Sequence, residues 1–184
     1  MKKIIVVKNP AKWDIEIEDV EVISSKEYLT NPKFLHEKNL RIFNLSDQYK
    51  YQSRGYYVSL LAEARGHKPL PDVKNIIDIK TPKLVKVISE DLDHLIQTSL
   101  RRIKSKDFIL SVYFGKNIAK QYDRLASELH KLFQAPFIRS KFIFNNKKWI
   151  LNGVKTISMN EIPEEHIPYI KIYAKEYSKV ISEH

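Results

Sequence analysis

The chain has 184 residues, 43% of them hydrophobic, with no cysteine and a formal charge of +10. That length suits one domain around one core, and that apolar content excludes wholesale disorder. The lack of cysteine excludes a disulfide framework and thiolate metal sites, and it fits a reducing compartment, so a cytoplasmic location is expected. All but seven of the 32 cations are lysines, spread along the whole chain. Such a charge bears on solubility and anionic partners, and only weakly on fold. No stretch approaches the ~18 apolar residues of a membrane span, and no membrane partner is expected.

In chain order, Ile4–Val7 reads as a first buried strand ended by the turn signal Asn9-Pro10. Val20–Ile23 and Arg41–Leu45 are two further strands. From Gly55 the pattern turns helical: Val58, Leu61 and Ala62 share a face, and Gly66 sits where a helix end needs positive φ. Lys68–Pro82, with three prolines, reads as a surface crossing whose apolar run Ile76–Ile79 is an edge strand. Leu84, Ile88, Leu92, Leu95, Ile96 and Ile103 keep the spacing of one long amphipathic helix. Phe108–Phe114 alternates as a strand ended by Gly115, and Ile118, Tyr122, Leu125, Leu129 and Leu132 mark another helix. Phe137–Phe144 and Trp149–Ile157 form a hairpin about Asn145-Asn146-Lys147. A last helix begins near Pro163, with Glu164 and Glu165 in its first turn and Ile167, Ile170, Ala174, Tyr177 and Ile181 as its buried stripe. The expected architecture is α/β: a mixed sheet flanked by helices, with a C-terminal hairpin and helix, in a single domain over residues 1–184.

Chemistry is sparsely marked. The four glycines, Gly55, Gly66, Gly115 and Gly153, are too far apart for a glycine-rich nucleotide loop. No histidines pair at metal-ligand spacing, and no nucleophile elbow is present. Asp91, Asp93 and His94 fall opposite an apolar stripe, as a solvated polar face does. Tyr113-Phe114-Gly115-Lys116-Asn117 lies between a strand and a helix, where open α/β sheets carry ligand loops; a plain helix start with Asn117 as N-cap explains it as well.

One stretch stands out. Residues 44–66, NLSDQYKYQSRGYYVSLLAEARG, place Tyr49, Tyr51, Tyr56, Tyr57, Arg54 and Arg65 around a strand end, a polar loop and a helix start. Amides and a positive dipole end at a helix start suit an anion, and guanidinium and aromatic groups add charge and shape. The expected ligand or partner surface is Gln52, Ser53, Arg54, Gly55, Tyr56, Tyr57 and Arg65, with Lys116 and Asn117 from the second loop. At least one arginine and one tyrosine hydroxyl of this stretch are expected to face a shared concavity. Equally, Tyr56 or Tyr57 packs in the core with its hydroxyl satisfied, and Arg65 neutralises a carboxylate near the helix end.

The run Tyr51-Gln52-Ser53, then Gly55 through His67 (GYYVSLLAEARGH), resembles the N-terminal domain of RimK-like ATP-grasp proteins. LSVYFGKN at Leu110–Asn117, Asp123-Arg124-Leu125, Ala135-Pro136-Phe137 and Ile162-Pro163-Glu164 with His166 resemble that family in the same order. Ser46 departs from it, standing where many relatives carry cysteine. The resemblance implies a small α/β domain that precedes an ATP-grasp ligase, which activates a carboxylate as an acyl phosphate and joins it to an amine. Nothing here matches that ligase's ATP-binding lysines or metal carboxylates. The implied role is therefore an accessory, substrate-side or interaction domain of an amide or peptide ligase system, not catalytic alone. It binds no cofactor itself; ATP and Mg are implied only for the ligase module, its partner in cis or in trans. An anionic small molecule or peptide is a second expected partner. A basic RNA- or DNA-binding module is the alternative, and an independent small enzyme a third reading.

If the charge is a property of the solvated surface, RNA and duplex DNA should bind weakly, without sequence preference, and be released steeply as salt rises. Filter binding or fluorescence anisotropy across a salt series checks this; tight, sequence-selective binding at physiological salt would promote the nucleic-acid reading.

Overall fold

The structure is a computed structural model that describes residues 1–46 and 48–182, the side chains of Ile181 and Ser182 lying outside that description. Four parallel strands open it: β1 (Lys2–Val7), β2 (Val20–Ser24), β3 (Leu40–Leu45) and β4 (Lys68–Leu70), in spatial order β2-β1-β3-β4. β1 is central and buried on both faces, which is why its sequence is a continuous apolar run and not an alternating one. One face, Ile4, Val6, Ile23 and Ile42, packs under α1 (Ser25–Thr30), α2 (Lys33–His36) and α3 (Arg54–Ala64), meeting Tyr28, Phe34, Val58 and Ala62.

The chain continues through α4 (Val73–Asp78), α5 (Pro82–Asp91), α6 (Asp93–Leu100), β5 (Asp107–Tyr113), α7 (Asp123–Phe133), β6 (Phe137–Asn145), β7 (Lys148–Thr156) and α8 (Ile167–Ser182). β5, β6 and β7 form a separate antiparallel sheet in that order. Leu110, Val112, Ile138, Phe142 and Leu151 on its inner face form one core with Val85, Ile96, Leu125 and Leu129 of the helices. The Gln97 side chain bonds both the N–H and the C=O of Trp149, at 3.0 and 2.6 Å, so α6 occupies part of the open edge of β7. Tyr113, Phe114, Phe137 and Ile157 then join Ile5, Val7, Phe43 and Leu45 on the second face of the parallel sheet, beneath Ile170 and Ala174 of α8.

The α/β class, the hairpin and the final helix are as the sequence implies. The parallel and antiparallel pairings are shared between two sheets. Asn146 and Lys147 both take positive φ, giving the two-residue turn of a tight hairpin. Ile76–Ile79, expected as an edge strand, is instead the end of α4; the edge strand is β4. Asp72 caps α4 by accepting from the Asn75 N–H at 2.7 Å, and Ile76 and Ile79 are buried while Ile77 is exposed, a helical spacing. The single helix expected over 84–103 is two, broken at Leu92 (φ −94, ψ 10). The helix expected from Ile118 starts only at Asp123, and Phe133, not Leu132, is its last buried residue. α1 and α2 were not legible at all. Ile181, assigned to the buried stripe of the last helix, has its side chain outside the described residues.

α3 ends as its Gly66 signals, with φ +77 and the His67 N–H donating to the Ala62 carbonyl at 2.8 Å. His67 is buried. Its Nε2 donates to the Glu37 carbonyl at 3.0 Å, which in the neutral ring leaves Nδ1 to accept from the Tyr28 hydroxyl at 2.7 Å. Burial pushes its pKa below the ordinary histidine value, as it does for His130. As pH falls below about 6.5, the unfolded chain takes up protons that the folded chain refuses, so stability should fall toward pH 5. Urea unfolding at several pH values should show this loss, and His67→Gln should make the slope shallower although the variant is less stable at pH 7.5. An unchanged slope would contradict the neutral, buried ring.

Candidate functional site at the carboxyl edge of the parallel sheet

The chain leaves β1 toward β2, then returns to lay β3 on the other side of β1. The crevice at the carboxyl ends of β1 and β3 is therefore the topological switch point, where open α/β sheets bind ligands. A cavity of about 230 Å³ lies there, lined by Lys8, Ser25, Ser46, Gln48, Arg54 and Gly55. A second, of about 160 Å³, shares Lys8 and adds Asn9, Lys12, Trp13 and Asn160.

Asn44 builds the wall between β3 and α3. It is fully buried. Its Nδ2 donates to the Gly55 carbonyl and to Ser59 Oγ, both at 2.8 Å. Its Oδ1 accepts from Ser46 Oγ at 2.5 Å and from the Ser46 N–H at 3.3 Å. Ser59 Oγ in turn donates to the Pro71 carbonyl at 2.6 Å, and the Tyr49 hydroxyl donates to the Asn44 carbonyl. One side chain thus fixes the strand end, the loop and the helix start. A Cβ on Gly55 would lie 2.1 Å from the Gln48 carbonyl oxygen and 2.7 Å from Ser46 Cβ, so only glycine permits this approach.

Ser53 is the N-cap of α3; its Oγ accepts from the Tyr56 N–H at 3.2 Å. Arg54 and Gly55 follow in the first turn, where amide hydrogens have no intrahelical acceptor. Arg54 is exposed and lines the cavity, and among the described residues no acidic or carbonyl group holds its guanidinium. The two hydroxyls are tied to the frame: Ser25 Oγ donates to the Val7 carbonyl at 3.3 Å and lies 3.5 Å from Ser46 Oγ. Among the described residues that line the cavity there is no histidine or carboxylate. The described lining can hold an anion by charge and hydrogen bonds.

The other residues expected at the site are dispersed. Gln52 is exposed with φ +64 and serves the turn before the cap. Tyr51, Tyr56 and Tyr57 form a chain of edge-to-face rings at 5.3 and 5.7 Å, and none lines the cavity, so the expected shared concavity gains the arginine but no tyrosine hydroxyl. Tyr49 is buried. Arg65 stands at the far end of α3, where it donates to the Tyr28 and Leu29 carbonyls at 2.7 and 3.3 Å and covers the Tyr28 ring. It thereby satisfies the open carbonyls at the end of α1.

Lys116 and Asn117 follow β5, in the other sheet. Lys116 pairs with Glu176 of α8. Asn117 does not cap a helix: its Oδ1 accepts from the Ala119 N–H at 2.9 Å, and its Nδ2 donates to the Ser111 carbonyl at 2.7 Å. That is a local Asx-type turn, favoured by the short amide side chain. Lys8, Ser25, Ser46 and Gln48 were missed as lining residues. The pairing order of the strands, which brings them together, has no local signature in the sequence.

With this geometry in place, comparison with known proteins decides the family. The model of the RimK-like ATPgrasp N-terminal domain matches residues 25–171. The chain belongs to that family. Among solved structures, this RimK-like N-terminal domain has a fold similar to D-alanine--D-alanine ligase from Bacillus anthracis complexed with ATP. The TM-score is 0.57 at 10% identity, covering 100% of this chain and 99% of that one. No curated protein matches the chain. The RimK-like domain therefore has an ATP-grasp association, and among the described residues no helix is long and apolar enough to cross a membrane.

If the close approach at Gly55 holds the site together, Gly55→Ala should cost about 1–3 kcal/mol in urea unfolding, as overpacking does. Gly153→Ala, where an added Cβ meets nothing within 4 Å, should stay within ~0.5 kcal/mol. Equal effects would show that the cavity wall tolerates a side chain.

Proposed function

We propose that this domain is the substrate-side, accessory part of an ATP-grasp carboxylate–amine ligase system, and that it holds an anionic group of a small molecule or peptide at the switch-point cavity. The ligase module acts in cis or in trans and supplies ATP, Mg and the acyl-transfer chemistry; this domain supplies binding and orientation. The observation that carries the reading is the Arg54 guanidinium, without a partner among the described residues, beside Lys8 and the first turn of α3 in that cavity. Family membership supports the ligase context. The described lining, with cations, hydroxyls and an amide, supports anion binding.

Calorimetry with inorganic phosphate and with a glutamyl dipeptide tests the site. Arg54→Ala should weaken whichever anion binds by about tenfold, while stability stays within ~0.5 kcal/mol of the parent. Unchanged affinity in the variant, or no binding of either anion by the parent, would overturn the reading. Mg-ATP should not bind the domain usefully; a low-micromolar dissociation constant, about −8 kcal/mol, would contradict the division of labour.

A further inference from the structure

The second cavity at the switch point extends the first. Successive side chains of a strand point to opposite faces, so Leu45 lines the second cavity while Ser46, the next residue, lines the first. The anion site lies on the sheet face covered by α3, and the second cavity on the face that carries Val7 and Leu45. Lys8, just past the end of β1, lines both. The two cavities are thus two lobes of one crevice that straddles the strand ends.

The lobes differ in chemistry. The second has a floor of buried Val7 and Leu45 and walls of half-buried Trp13 and Met159. Those walls are fixed locally. Asn9 caps the turn Pro10–Lys12 by accepting from the Ala11 N–H at 3.1 Å, and the Trp13 indole N–H donates to the Ile15 carbonyl at 2.7 Å. From the other end of the chain, the turn Met159–Glu161 is held by a capping box in which the Ser158 N–H donates to the Glu161 carboxylate at 3.0 Å. The lobe measures about 160 Å³. An apolar cavity of about 150 Å³ holds a benzene ring, so there is room for one aromatic side chain. Among the described lining residues the charged ones are Lys8, Lys12 and Arg54, all cations. Asn160 adds an amide, which can donate to and accept from a peptide group. Lys8 to Trp13 precede the residues that the family model matches, so this part of the lining is not carried by the family match.

We infer that the crevice takes a short linear peptide: a carboxylate held at Arg54 and Gly55, a backbone that crosses the strand ends past Lys8, and an apolar, aromatic-sized side chain seated between Trp13 and Met159. The inference rests on the anion site proposed above and adds the group that selects its ligand. A lone phosphate or carboxylate fills the first lobe only. Packed layers lie about 10 Å apart and extended residues span about 3.3–3.6 Å each, so the carboxylate and the apolar side chain belong to residues two or three positions apart. An all-acidic peptide would set a carboxylate on the apolar floor of the second lobe at the cost of its hydration.

The test is an NMR titration of the full chain with four tripeptides blocked at both ends: Phe-Gly-Glu, Glu-Gly-Phe, Gly-Gly-Glu and triglutamate. The signals followed are the Arg54 Nε–H, the Gly55 amide and the Trp13 indole N–H. One of the two phenylalanine peptides should shift all three and bind at least about tenfold more tightly than Gly-Gly-Glu or triglutamate. Trp13→Ala and, separately, Met159→Asp on its surface turn should each remove most of that preference, whereas Arg54→Ala should weaken the phenylalanine and glycine peptides alike. Phenylalanine peptides that bind no more tightly than Gly-Gly-Glu, with Arg54 shifting and the Trp13 indole unmoved, would overturn this inference and leave the anion site standing. Triglutamate binding as tightly as the phenylalanine peptides would overturn it as well. Binding of none of the four would overturn both.

Discussion

The Asn44 amide holds the functional end of this molecule together. It sits at the end of a central parallel strand, where backbone ladders stop and the polar groups that follow need other partners. By bonding the Gly55 carbonyl, Ser59 and Ser46 at once, it converts a strand end into a fixed corner from which α3 departs. A buried amide with both ends satisfied stabilises the corner, whereas a truncated one leaves several polar groups dry. The cavity and the position of Arg54 and Gly55 beside it depend on that corner.

Around it, the work is divided. Cations and hydroxyls gather at the switch point of the parallel sheet, while the conspicuous aromatic and basic residues elsewhere in the same stretch serve the frame. Arg65 shows the division well. It caps the helix that Arg54 opens, and its two terminal nitrogens donate to carbonyls of α1. One guanidinium without a partner among the described residues and one engaged, eleven residues apart on one helix and its cap, distinguish the end at which the anion site is proposed. The titratable groups follow the same pattern: the histidines with lowered pKa values, His67 and His130, are packing residues away from the cavity.

Much of the fold was legible because its signals are local. β1 and β3 announce themselves by apolar runs, the hairpin by its asparagines, and the end of α3 by Gly66. Where local signals were weak, or ambiguous between periods, the reading failed. Ile76–Ile79 is short enough to fit a strand or a helix, and the Asp72 cap decides for the helix. The break at Leu92 has no proline or glycine to reveal it. Of the site, Arg54 and Gly55 were legible because they sit in the distinctive tyrosine stretch. Lys8 and Ser25 were not, since they reach the cavity only through the order β2-β1-β3, a long-range property of the sheet. Gln52 and Ser53 set the turn and cap that aim the helix.

Site-resolved NMR of the arginine side chains and backbone amides during a titration with inorganic phosphate or a glutamyl dipeptide tests the central claim most directly. The account predicts that the Arg54 Nε–H and the amides of Arg54 and Gly55 shift together, saturating on one binding curve, while Arg65 and Lys116 stay still. Shifts spread evenly over the surface lysines, with Arg54 unmoved, would contradict an anion site at the switch point.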